Sequence, residues 1–145
     1  MAKGQILLAH GNRDCQTIYG SVLVYEGFQV DIAEDSDSAI RQLSTKTYDL
    51  VVADLYLEST DDECLVRRLR RESSMTNLPV VVLTGWTTDA HRRIAIDADA
   101  DDFLPLPTRP RELVDAVVSL LGKPRRHTPP STIRDRDDSP SVREI

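Results

Sequence analysis

Long apolar runs are missing from this sequence. Nothing in it approaches the roughly 18 consecutive apolar residues needed to cross a bilayer. The start, Met1-Ala2-Lys3-Gly4, enters a short apolar stretch ending at Ala9, and polar Asn12, Arg13 and Asp14 follow at once, which is not the pattern of a secretory signal. A cytoplasmic location is therefore expected. Cysteine is scarce: Cys15 and Cys64 lie far apart and form no CxxC pair. They read as buried, reduced thiols on helix faces, not as a disulfide or a zinc site. Basic charge is in deficit. The net charge is −6 over 145 residues, and the segment from residue 123 onward holds six Lys/Arg against four Asp/Glu, so the preceding 122 residues carry −8. An acidic body with a slightly basic tail does not suit nucleic-acid binding. Internal repeats are absent.

What is present is an alternation of strands and helices. Ile6-Leu7-Leu8 is a continuous apolar run, as in a strand buried on both faces. Cys15, Ile18, Val22 and Tyr25 then fall at helical spacing, with Gly27 placed to end the helix. Phe28 to Ala33 alternates as a second strand. Ser36 is positioned to cap a helix carrying Ala39, Ile40 and Leu43 on one face. Leu50-Val51-Val52-Ala53 forms the clearest strand and ends in Asp54. An acidic and polar loop, Glu58 to Asp62, leads to a helix marked by Leu65, Val66 and Leu69, with Arg67, Arg68, Arg70 and Arg71 assigned to solvent. Pro79 opens a strand, Val80-Val81-Val82-Leu83, that ends at Thr84. Ile94, Ala95 and Ala98 mark a weaker helix, Phe103-Leu104 a short fifth strand, and Leu113, Val117, Leu120 and Leu121 a last helix between Pro110 and Gly122. This pattern predicts a mostly parallel sheet covered on both faces. In such sheets function sits beyond the carboxyl ends of the strands, which selects His10-Gly11-Asn12, Asp54, Thr84 and Leu106. After Gly122, four prolines fall among Ser, Thr, Arg and Asp. Residues 123–145 read as a disordered Pro/Arg/Asp-rich tail, and 1–122 as the single domain.

Three segments in order, each at a strand end, carry a resemblance: Tyr48-Asp49-Leu50-Val51-Val52-Ala53-Asp54-Leu55, Val80-Val81-Val82-Leu83-Thr84-Gly85, and Ala100-Asp101-Asp102-Phe103-Leu104-Pro105-Leu106-Pro107. Across nearly all of 5–122 the chain resembles the receiver domain of bacterial two-component response regulators. The resemblance implies a flavodoxin-like (βα)5 fold, with a five-stranded parallel sheet of order 2-1-3-4-5 and helices on both faces. It implies Asp54 as the phosphoacceptor position, Thr84 as the phosphate-contact position and Phe103 as the switch aromatic. It also implies a cis bond before Pro107. An acidic pair that holds magnesium should stand at 10 and 11, and a lysine at 106. The chain has His10, Gly11 and Leu106 there instead. Tyr56 and Trp86 fall where the family's site entrance lies, either covering Asp54 or lying on the surface as ordinary loop aromatics. Asp99 replaces a glycine at a spot that often needs positive φ, which Asp tolerates better than most residues.

Phosphoryl transfer to a carboxylate needs cations to offset three charged oxygens, and magnesium wants several hard ligands. One carboxylate is a poor set. Losing the lysine removes a further charge-assisted bond, of about 1.5–3 kcal/mol. Rescue by Asn12, Asp14 or Glu58 is disfavoured. His10 either pairs with Asp54 or lies exposed in its loop. The turn after the first strand lacks a Gly- or Ser/Thr-rich phosphate cradle, which disfavours a nucleotide-binding enzyme. The reading is a stand-alone receiver-like signalling module, not an enzyme, with no metal or other cofactor. It acts through protein–protein binding with phosphorylation at Asp54 impaired or absent. The alternative is a working response regulator, with weak Mg2+, phosphorylated on Asp54 by a histidine kinase. Partners implied are a histidine kinase or another signalling protein. A homodimer through helix 4, strand 5 and helix 5 is a further option, with Ile94, Ile96, Phe103, Arg109 and Val118 on that face. Neither nucleic acid nor membrane is expected as a partner. Asp54→Ala is expected to be neutral or stabilising if Asp54 is an isolated charge.

Overall fold

The computed structural model describes residues 3–57, 63–72 and 75–123. The acidic loop read at 58–62 and all but the first residue of the 123–145 tail lie outside the described residues. The elements run β1 (Gln5–Ala9), α1 (Arg13–Tyr25), β2 (Gln29–Ala33), α2 (Ser36–Thr45), β3 (Leu50–Ala53), α3 (Leu65–Arg71), β4 (Val80–Thr84), α4 (Asp89–Asp97), β5 (Asp102–Pro105) and α5 (Pro110–Leu121). The strands form one parallel sheet of order β2-β1-β3-β4-β5. This is the flavodoxin-like architecture expected from the sequence.

Successive strand side chains point to opposite faces, and each face has its own apolar layer. Leu7, Val51, Val80 and Val82 meet Leu65, Val66, Leu69, Ala95 and Phe103 on one side. Ile6, Leu8, Val52, Val81 and Leu83 meet Tyr19, Leu23, Leu113, Val114 and Val117 on the other. Every residue of β3 and β4 is buried, which is why these segments are apolar without interruption. Each fully buried Leu or Val contributes about 1.5–3 kcal/mol relative to exposure.

The local reading needs four corrections. The buried face of α1 is Tyr19, Gly20 and Leu23, whereas Ile18 is 50% and Tyr25 85% exposed. Cys15 and Val22 pack against the layer of Tyr19 and Leu23 as read, and the Tyr19 hydroxyl reaches across to donate to the Thr108 carbonyl at 2.7 Å. Asp35, not Ser36, caps α2: its carboxylate accepts from the Ser38 amide at 2.7 Å, while Ser36 is the first helical residue and is fully buried. Arg70 is not on the solvent side. Its side chain is 8% exposed, and it donates to the carbonyls of Leu78 at 2.6 Å and Asp99 at 3.0 Å and to the Asp101 carboxylate at 3.0 Å. Finally, only Cys15 lies within a helix, half-buried on α1. Cys64 is buried at the residue before α3, and both thiols are free.

Among the described residues, two backbone positions adopt the left-handed region: Gly27, which closes α1 with φ 105°, and Asp99, with φ 72°. The Asp99 carbonyl is clamped by two Arg70 nitrogens, so the turn into β5 is fixed from outside.

Candidate functional site

The carboxyl ends of the inner strands β1, β3 and β4 bring His10, Asp54 and Thr84 together. Asp54 follows β3 directly, and its amide donates to the Ala9 carbonyl at 3.0 Å. Its Oδ1 accepts the Thr84 hydroxyl at 2.5 Å and the Leu55 amide at 2.8 Å. Thr84, the last residue of β4, is fully buried, and its Oγ1 also accepts the Trp86 amide at 3.2 Å. The Asp54 side chain is 17% exposed, with Oδ2 lying 3.8 Å from His10 Nε2.

His10 is buried, so the exposed-loop alternative is set aside. Its Nδ1 accepts the Asn12 amide at 3.2 Å, which places the ring proton on Nε2, 3.1 Å from the Leu83 carbonyl. Both nitrogens are thereby used by backbone. Asn12 caps α1 through its side chain, accepting from the Cys15 amide at 2.9 Å, and so is not turned toward Asp54. Asp14 is exposed in the first turn of α1, and Glu58 lies outside the described residues. Gly11 is exposed in the turn between β1 and α1. The Leu106 side chain packs with the α1–α5 apolar layer, and its amide donates to the Thr84 carbonyl at 2.8 Å. The Leu106–Pro107 bond is cis. Phe103 is buried, with the Arg92 guanidinium 4.6 Å from its ring centroid.

Cys15 joins this surround. Burial raises its thiol above the ordinary range, and the charges of Asp54 and Asp14 raise it further. A thiol held protonated in this way is a weak nucleophile.

Tyr56 and Trp86 stand on the loops that leave Asp54 and Thr84, 41% and 49% exposed. Their ring centroids are 5.5 Å apart with planes at 77°. His91, which the sequence reading missed, completes the cluster at 5.8 Å from Tyr56 and 5.3 Å from Trp86. A signal for it existed. Thr88 caps α4 by accepting the His91 amide, and that capping places the ring at the third helical position, back toward Trp86.

Magnesium is the metal the fold family implies, and the donors here do not fit it. A hard octahedral cation needs several oxygens. Around Asp54 the structure supplies a buried imidazole committed to backbone and a leucine, and among the described residues no group of three or more His, Cys, Asp or Glu side chains could hold a metal ion.

The parallel 2-1-3-4-5 sheet, with polar side chains gathered at the carboxyl ends of its inner strands, defines a doubly wound α/β module of flavodoxin-like topology. Residues 6–118 match the response regulator receiver domain, and the chain belongs to that family. It is 32% identical over 119 residues to the phosphate regulon transcriptional regulatory protein PhoB of Escherichia coli, covering 82% of this chain and 52% of PhoB. The chain thus spans about half the length of that relative. Among solved structures, the receiver domain of the sensor histidine kinase PA1611 from Pseudomonas aeruginosa, with a magnesium ion in its active-site cleft, superposes with a TM-score of 0.76 at 25% identity, covering 84% of this chain and 100% of that one. NtrX from Brucella abortus in complex with ADP gives 0.75 at 27% identity, covering 83% of this chain and 27% of NtrX. Among the described residues no helix is long and apolar enough to cross a membrane.

Proposed function

We propose that this receiver domain signals by binding other proteins, with phosphoryl transfer to Asp54 impaired or absent. The observation that carries the reading is the surround of Asp54. The carboxylate is held by Thr84 and Leu55, its ion-pair neighbour among the described residues, His10, is tied to Leu83 and Asn12, and position 106 is a packed leucine. Among the described residues, an incoming phosphoryl anion would meet neither a metal-binding acidic set nor an ammonium. Partners of the receiver class, a histidine kinase or a further signalling protein, suit the face of α4, β5 and α5. On that face Ile96 and Val118 are 53% and 50% exposed, and Arg109 is exposed as well. Phe103 is buried and Ile94 half-buried against the core, so these two support the face from beneath. A homodimer through the same face is a second use of it.

One observation favours the alternative of a working phosphoacceptor. The Thr84 hydroxyl already touches Asp54, where a phosphoryl oxygen would need a donor. Incubation of the full chain with a small phosphodonor and magnesium, followed by intact mass, decides between the two. No adduct is expected; an adduct that disappears in Asp54→Ala would replace the binding-only reading.

A further inference from the structure

Among the described residues, one oxygen of Asp54 accepts no hydrogen bond. Oδ1 takes the Thr84 hydroxyl and the Leu55 amide. Oδ2 has no hydrogen-bond donor among the described residues, and its one ion-pair neighbour among them is His10, whose Nε2 proton points at Leu83. On the two loops leaving this carboxylate and its threonine stand the half-exposed rings of Tyr56 and Trp86. Tyr56 meets Trp86 and His91 edge to face, and Trp86 and His91 meet at a tilt of 57°, so the three rings form one cluster and what they offer a ligand is their outer surface. A carboxylate oxygen and electron-rich rings both attract cations and repel anions. The net charge of −8 over residues 1–122 acts in the same sense over a longer range.

The kind of cation follows from the donors. Magnesium gains nothing from rings and demands more oxygens. An ammonium is a compact, strongly hydrated point charge. A guanidinium is flat, weakly hydrated, stacks on aromatic faces and can give an N–H to a carboxylate at the same time. We propose that Asp54 Oδ2 and the Tyr56–Trp86 surface receive an arginine side chain of a partner protein. This rests on the binding-module reading and deepens it. The partner would supply in trans the positive charge that the site does not hold, and the Thr84 hydroxyl and amide of Trp86 would tie the occupied carboxylate to the loop that carries the rings.

The test titrates the full chain with a capped glycine–arginine–glycine peptide, with lysine and glutamine versions and magnesium chloride as comparisons. The readouts are emission from the sole tryptophan, Trp86, and amide shifts of Leu55 and Trp86 in NMR spectra. A saturable response to the arginine peptide is expected, weaker with lysine, absent with glutamine, and falling as salt rises. Asp54→Asn keeps an acceptor for Thr84 and Leu55 but removes the charge. It should weaken arginine binding about tenfold or more while the melting temperature stays close to that of the unsubstituted chain. Tyr56→Ala, with Trp86 still reporting, should weaken it several-fold. Equal responses to arginine and glutamine, unaltered binding in Asp54→Asn, or a magnesium response that arginine cannot displace would each overturn the proposal. A phosphate adduct in the mass experiment would defeat the binding-only reading instead, and that result is read independently of the peptide titration.

Discussion

At the residue scale, Asp54 is not the isolated charge that the sequence suggested. Its Oδ1 is the shared acceptor for a buried hydroxyl and a backbone amide, so the condition under which Asp54→Ala would be neutral or stabilising is not met. Truncation to alanine removes both bonds and leaves Thr84 to reorient in a fully buried position. Urea denaturation should show a loss of about 1–3 kcal/mol for Asp54→Ala, while Asp54→Asn, which keeps an acceptor, should lie much closer to the unsubstituted chain. The pairing of Asp54 with Thr84 follows from two strand ends meeting, because β3 and β4 are neighbours. The deep placement of His10 was not legible. A histidine after a strand reads equally well as loop or as interior, and only the backbone partners on β4 and at Asn12 decide it.

At the element scale, the strands and the apolar faces of α2, α3, α4 and α5 were legible, and the face of α1 only in part. Uninterrupted apolar runs such as Val80 to Leu83 have one reading, burial on both sides. The face of α1 was read correctly at Cys15 and Val22 and missed elsewhere, because Tyr19 and Gly20 are neither strongly apolar nor good helix formers, yet both are buried there, while Ile18 and Tyr25 are left outside. A hydrogen-bond clasp outside the periodic pattern also joins β2 to its neighbours. Asp31 accepts from Lys46, which caps α2, at 2.8 Å and from the Tyr48 hydroxyl, just before β3, at 2.6 Å. The Lys46 bond first, then that from Tyr48, holds the Asp31 carboxyl below its ordinary range. Its contribution to stability is therefore full above the unfolded carboxylate pKa and is lost as pH falls through the lower, folded value. Tyr48 is shifted the opposite way: burial first, then the Asp31 bond, pushes its phenol far up. Above the ordinary tyrosine pKa, about 10, the unfolded chain releases a proton that the folded one keeps, and stability falls again. Urea midpoints measured across pH should show both flanks, with Asp31→Asn shallower on the acid side.

For the whole molecule, Arg70 is the piece the sequence concealed. A helix row of four arginines reads as a solvated face, yet this one is turned inward to bond Thr76, Leu78, Asp99 and Asp101, so that α3, the entry to β4 and the turn into β5 share one guanidinium. Several acceptors in different directions suit a fork and not a point charge. Arg70→Lys is expected to lower stability, and Arg70→Ala to lower it by about 3 kcal/mol or more, measured as the shift in urea midpoint at constant slope. The sheet itself is graded from centre to edge: β3 and β4 are buried throughout, whereas β2 and β5 each have exposed positions. Amide protons on β1, β3 and β4 should therefore exchange with deuterium only when the entire chain unfolds, and those on β2 and β5 through smaller openings that precede it. Asp54 and Thr84 hang from the slow-exchanging centre, while the α4–β5–α5 face borders a strand that opens early, so the two ends of any signal are anchored in parts of the molecule that breathe on different clocks.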